Sequence, residues 1–118
     1  MDWKFTGSEP VYQQIAEHFR RAVLAGEYAA GERIPSVREL AAQARVNPNT
    51  MQRALTQLER ENLLICNGTL GRFVTKDQTV LENLRQQAVE STVRHCSALL
   101  AQLGLTLQDA AAIEKEEV

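Results

Sequence analysis

The stretch RVNPNTMQRAL, residues 45–55, decides how the rest of the chain is read. Asn47 suits the position just before a helix, because its side-chain oxygen can accept from a backbone N–H of the first turn. Pro48 then takes the first helical position, where no N–H is needed and a fixed φ favours the helix. Met51, Ala54, Leu55 and Leu58 follow at i, i+3, i+4 and i+7, one apolar stripe on a helix that ends near Glu61-Asn62. At about 100° per residue, Asn49, Arg53 and Thr56 lie opposite that stripe, flanked by Thr50 and Gln52. A helix with one buried face thus presents a rim of amides and hydroxyls on its other side. Such groups pair with base edges in a major groove, Asn or Gln with adenine, Ser or Thr less selectively. The helix N-terminus adds N–H groups and a partial positive charge suited to phosphate.

Just upstream, Ser36-Val37-Arg38-Glu39 has the form of a capping box, Ser before the helix and Glu three residues on. Val37, Leu40, Ala41 and Ala44 face inward on a helix of about two turns. A short turn through Arg45-Val46 then reaches Pro48, so the two helices form a helix-turn-helix. A first helix begins near Ser8-Glu9-Pro10, with Tyr12, Ile15, Ala16, Phe19, Ala22 and Val23 in its apolar stripe. Glu17, His18, Arg20 and Arg21 fall on the other side, and His18 is read as a solvated residue. The segment AGEYAAGER (25–33), with its two glycines, ends that helix. Downstream, LLICNGTLGRFVTKD (63–77) reads as a β-hairpin with a glycine-containing turn. Three helices followed by a hairpin make a winged helix, the hairpin tip being the wing.

Net charge at pH 7 is −2, which alone argues against a nucleic-acid partner, but the total conceals a division. Residues 1–76 hold ten Lys/Arg against eight Asp/Glu, a balance of +2; residues 77–118 hold three against seven, a balance of −4. Between 33 and 53 stand Arg33, Arg38, Arg45 and Arg53 against a single acid, Glu39. Local charge decides where phosphate binds, since screening at physiological salt acts over about 8 Å.

The run from Pro10 to Val74 resembles the DNA-binding domain of the GntR family of bacterial transcription regulators. The words that carry the likeness are GERIPSVRELAAQARVNPNTMQRALTQLERENLL and GRFV. The short chain points to the YtrA-type branch, whose winged helix is followed only by a helical dimerisation segment. By that resemblance Arg38, in PSVREL, contacts DNA. Asn47, Asn49, Thr50, Gln52 and Arg53 enter the major groove, and the wing tip maps onto Asn67 to Gly71. Ser36, Arg45, Gly68 and Arg72 join the expected DNA contacts, with Arg33, Arg38 and Arg53 positioning the protein on phosphates. The chain departs from the pattern at three places. Many relatives have glycine where Arg45 stands, larger members often have arginine at Gln52, and most wings are basic near the tip. Here the tip is Asn67-Gly68-Thr69-Leu70-Gly71, and Arg72 is the wing's only cation.

Beyond the wing, Thr79 is placed to cap a long helix running to Leu103 and closed by Gly104. Val89, Val93, Cys96, Leu100 and Leu103 are spaced 4-3-4-3, a heptad seam. Leu81, Leu84, Ala88 and Leu99 add a second stripe. Thr106-x-x-Asp109 opens a final helix with Leu107, Ala110, Ala111 and Ile113. Two such helices offer more apolar surface than they can cover between them, so a symmetric partner is expected, with Leu81, Leu84, Val89, Val93, Cys96, Leu100 and Leu103 at the interface. The competing arrangement packs the pair on the first helix within one monomer.

Other functions find little footing. His95-Cys96 lacks further ligands at metal-binding spacing, and there is neither a Gly-rich phosphate loop nor a nucleophile motif. No metal, no cofactor and no catalysis are expected. The 118 residues contain no apolar run long enough to span a membrane, and MDWKFTGSEP lacks the layout of a secretion signal, so the chain reads as cytosolic. Cys66 and Cys96 are read as small buried or half-buried side chains rather than a redox pair. The expectation is therefore a mainly α fold with a small hairpin: a winged-helix DNA-binding domain over 1–76 and a two-helix dimerisation segment over 77–118. Its function is that of a homodimeric regulator, a repressor, on a palindromic operator in double-stranded DNA. Two alternatives are a winged helix serving as a protein-interaction module and a regulator sensing a small ligand at the dimer interface.

Overall fold

Three apolar helix stripes and one face of the hairpin meet in a single core. The structure is a computed structural model and describes residues 3–117. Its elements follow in the order α1 (Val11–Leu24), α2 (Val37–Ala44), α3 (Pro48–Arg60), β1 (Leu64–Cys66), β2 (Arg72–Val74), α4 (Gln78–Ala101) and α5 (Leu107–Glu117). A short 3-10 turn over Gly68–Leu70 joins the strands. Ile15, Phe19, Leu40, Met51, Leu55, Leu58, Leu63, Leu64 and Val74 are fully buried. This is the winged-helix fold that the spacing of the apolar residues predicts.

The helix boundaries follow from the caps. Ser36 Oγ accepts from the Glu39 N–H at 3.2 Å and starts α2. Asn47 Oδ1 accepts from the Asn49 N–H at 2.7 Å, and Pro48 opens α3. α2 closes with Arg45 in the left-handed region, φ 57° and ψ 46°, where the Arg45 and Val46 N–H groups return to the Ala42 and Ala41 carbonyls. The position filled by glycine in many relatives is thus left-handed here too, and a residue with a Cβ occupies it at a cost of roughly 1–2 kcal/mol.

The strands pair antiparallel in the register Leu64↔Val74, Ile65↔Phe73 and Cys66↔Arg72. Leu64 and Val74 point into the core and Ile65 points out. The loop after α1 completes the wing. Arg33 bridges Phe73, and backbone bonds run from the Gly31 N–H to Val74 O (2.8 Å) and from the Ile34 N–H to Arg72 O (3.0 Å).

Long-range polar contacts correct several expectations. His18 is not a solvated residue: its ring lies 5.6 Å from that of Trp3 and 5.8 Å from that of Phe5, and Nε2 is 3.2 Å from Lys4 O. The N-terminal arm that carries these rings is held by Gln14, which bonds Thr6 through both its amide oxygen and nitrogen. Arg20 is likewise engaged, with Nε and Nη2 donating to the two carboxylate oxygens of Glu61 at 2.8 and 2.6 Å. These hydrogen bonds from Arg20 hold the Glu61 carboxyl below its ordinary range, against a partial burial that works the other way.

By compactness the chain divides after Leu84. Leu81 and Leu84, expected in a dimer seam, instead pack against the core of the first unit. The cap of α4 is Asp77 rather than Thr79, since Asp77 Oδ1 accepts from the Thr79 N–H at 2.9 Å. In the second unit Gly104, at φ 74°, closes α4 as expected. Thr106 and Asp109 bond reciprocally at the start of α5, at 2.8 and 3.1 Å. From Arg85 to Glu116 no residue is buried. Both cysteines are exposed, contrary to the buried or half-buried state expected of them. No helix among the described residues is long and apolar enough to cross a membrane.

Candidate nucleic-acid interface

With Met51, Ala54, Leu55 and Leu58 buried, the remaining side of α3 is turned outward. Asn47, Asn49, Gln52 and Arg53 are exposed and Thr50 is half-buried. The Asn47 carboxamide oxygen is committed to its cap, whereas the Asn49 side chain has no hydrogen-bond partner among the described residues. Gln52 Nε2 donates to Thr56 Oγ1 one turn on, at 3.3 Å, a weak contact that leaves its carbonyl oxygen outward. Arg53 lies with Cζ 3.8 Å from the centroid of the Tyr12 ring. The first turn of α3 therefore offers amide donors and acceptors together with the free end of a helix.

Two further cations stand on the same helix-turn-helix. Arg38 on α2 and Arg45 in the turn are exposed, and neither side chain has an ion-pair or hydrogen-bond partner among the described residues. Ser36 is exposed, but its hydroxyl is occupied by the α2 cap. Ser36, Arg38, Arg45, Asn47, Asn49, Thr50, Gln52 and Arg53 are thus gathered on one helix-turn-helix.

The wing residues fare differently. Gly68 sits exposed in the 3-10 turn at φ 51°. Arg72, expected as the wing's cation, is half-buried and donates through Nε to Glu59 on α3. Its charge is neutralised and its side chain ties the wing to α3. Arg33 also lies at the wing. Its side chain crosses Gly71, where an added Cβ would stand only 3.0 Å from Arg33 Nε, and it is exposed. The sequence concealed this because the two residues are far apart along the chain; the bridge between Arg33 and Phe73 brings them together. Arg33 was expected as a phosphate contact but not at the wing; Tyr12 is the residue the sequence reading missed, since a tyrosine in an apolar stripe looks like core.

Fold and site together define a winged-helix protein that binds DNA through a helix-turn-helix. The chain belongs to the family described as bacterial regulatory proteins, gntR family, whose sequence profile matches residues 11–74. It is a DNA-binding transcription regulator of that family and not an enzyme. Among its relatives, the HTH-type transcriptional regulator YhcF of Bacillus subtilis (strain 168) is 31% identical over 109 residues, covering 92% of this chain and 90% of that protein. The HTH-type transcriptional repressor YtrA of the same organism is 33% identical over 96 residues, covering 81% of this chain and 69% of that protein. A GntR family transcriptional regulator from Listeria monocytogenes superposes with a TM-score of 0.84 at 30% identity, covering 95% of this chain and 98% of the other.

Proposed function

We propose that the protein is a cytoplasmic homodimeric repressor that binds a palindromic operator with α3 of each subunit in the major groove. Residues 1–76 act as the DNA-binding domain and residues 77–118 as the dimerisation segment. Arg38 and Arg33 anchor phosphates, Arg33 serving as the wing's cation in place of Arg72. Asn49, Thr50 and Gln52 discriminate bases. The observation that carries this reading is the outward polar first turn of α3, on the same helix-turn-helix as Arg38 and Arg45, two exposed arginines without partners among the described residues. Dimerisation is supported by the apolar positions of the second unit, Val89, Val93 and Leu103 among them, which lie exposed in the single chain. The repressor assignment follows the name of the YtrA relative.

The test is binding to duplex DNA from upstream of the protein's own gene, measured by electrophoretic shift across a series of salt concentrations. Arg38→Ala is expected to weaken binding to every sequence and to lower the salt slope by roughly one per subunit. A slope equal to that of the wild type removes Arg38 from the contacts. Asn49→Ala is expected to lose about 1–3 kcal/mol of discrimination at one base pair while leaving others intact. Equal loss at all sequences contradicts a base-reading role.

A further inference from the structure

Tyr12 stands in the first turn of α1 and packs half-buried against the core, so its ring is a fixed platform. Over one face of that ring lies the Arg53 guanidinium, 3.8 Å from Cζ to centroid. The Tyr12 hydroxyl is in contact with Gln13 Nε2 at 3.2 Å, outside the stack. A guanidinium presents five N–H donors in one plane. Among the described residues no acceptor answers those of Arg53. Stacking engages the face of the plane and leaves its edge available, and the residue sits beside exposed Asn49 and Gln52. A long exposed arginine ordinarily loses much rotamer freedom when it docks, and ordering it beforehand reduces that loss.

From this we infer that Tyr12 is a positioning residue of the DNA interface: its ring holds the Arg53 guanidinium on edge, ready to donate to a phosphate bordering the groove. The inference rests on the reading of α3 as the DNA-facing helix, and it adds to that reading a residue from α1 that need not touch DNA. The ring face is what matters, so the hydroxyl is dispensable. The planar cation matters equally, since an ammonium cannot stack in the same way.

The probe is the duplex of highest affinity that the full chain recovers from a random-sequence pool, and the readouts are affinity and its salt slope. Tyr12→Phe is expected to match the wild type in both. Tyr12→Leu is expected to bind roughly two- to fivefold more weakly per subunit, the range of an exposed cation–π contact, with the salt slope of the wild type because the Arg53 charge remains, whereas Arg53→Ala is expected to lower that slope. In an Arg53→Ala background Tyr12→Leu should have no further effect. Should Tyr12→Leu fold too poorly to assay, Tyr12→Met completes the same cycle. Additive losses in the two backgrounds would make Tyr12 a purely structural residue, and a wild-type salt slope in Arg53→Ala would take Arg53 off the phosphate; either result overturns the inference. A loss in Tyr12→Phe equal to that in Tyr12→Leu would also overturn it, assigning the contact to the hydroxyl. If Arg38→Ala lowers the slope while Arg53→Ala does not, the inference fails and the DNA-facing reading stands; if no duplex is recovered, both fail.

Discussion

The chain uses the same kind of apolar spacing twice, with opposite results. In α1, α2 and α3 most residues at helical spacing are buried, down to Ala22 and Ala44, and Tyr12, Val23 and Val37 are half-buried against the same core. In the second unit Val89, Val93, Leu99 and Leu103 remain 52%, 43%, 50% and 73% exposed, although α4, which bears the first three, is capped by Asp77 as the earlier helices are by their own caps. Caps and propensity suffice to start and stop a helix. They do not bury it, because burial needs an opposing face. The first unit supplies that face from its own three helices and hairpin; a second copy of the chain supplies it in the function proposed for the other.

The contrast can be broken first at its strong end. Phe19→Ala should lower the stability of the first unit by about 3–5 kcal/mol, seen as an earlier midpoint in urea denaturation. A loss below about 1 kcal/mol would mean that the site collapses on itself and that the core is loosely packed. Val93→Asp probes the other end. It should leave the first unit folded yet weaken self-association on the order of a hundredfold or more, since two valines lose about 1.5–3 kcal/mol each on re-exposure. Sedimentation velocity over a range of concentrations measures this. A wild-type chain that stays monomeric, or a variant that dimerises as well as the wild type, removes the seam.

A smaller effect is expected at the link between α1 and the end of α3. Arg20→Ala should cost about 1–2 kcal/mol at neutral pH, as a forked, partly exposed ion pair. Because the Arg20 hydrogen bonds depress the folded-state pKa of Glu61, the pair's contribution is complete above the ordinary Glu pKa of about 4.3 and disappears as pH falls through the lower folded value. Wild type and variant should therefore converge in acid, and a gap that persists there would show that the loss is one of packing. The smallest effect sharpens the role of the turn. Arg45→Gly should raise stability by about 0.5–1 kcal/mol by removing a Cβ from a left-handed position, while weakening DNA binding if the guanidinium reaches phosphate. Greater stability with unchanged affinity would reduce Arg45 to a tolerated misfit.

Much of the fold was legible because it is written in short-range terms. Ser36 and Glu39, Asn47 and Asn49, and Thr106 and Asp109 each satisfy backbone groups two or three residues away. The stripe from Met51 to Leu58 obeys the helical period, and LLIC facing RFV across a glycine turn specifies a hairpin. The outward rim of α3 was legible for the same reason, as the complement of a stripe. The misreadings share the opposite property. His18 looked solvated because its partners Trp3 and Phe5 lie on an arm with no periodicity of its own. Leu81 and Leu84 followed the pattern of the rest of α4, and only their position over the first unit's core separates them from it.

The amino-acid sequence by itself determined the helices, their caps, the hairpin and the polar face of α3, since each depends on groups within a turn or two of one another. Only the tertiary structure decided which charges are spent and which remain. Arg20 meets Glu61 from 41 residues away, Arg72 is taken by Glu59, Arg53 lies over Tyr12, and Arg33 crosses Gly71. The reason is reach: long side chains find partners wherever packing brings an acceptor, a ring or a missing Cβ within a few ångströms, and spacing along the chain does not encode that distance.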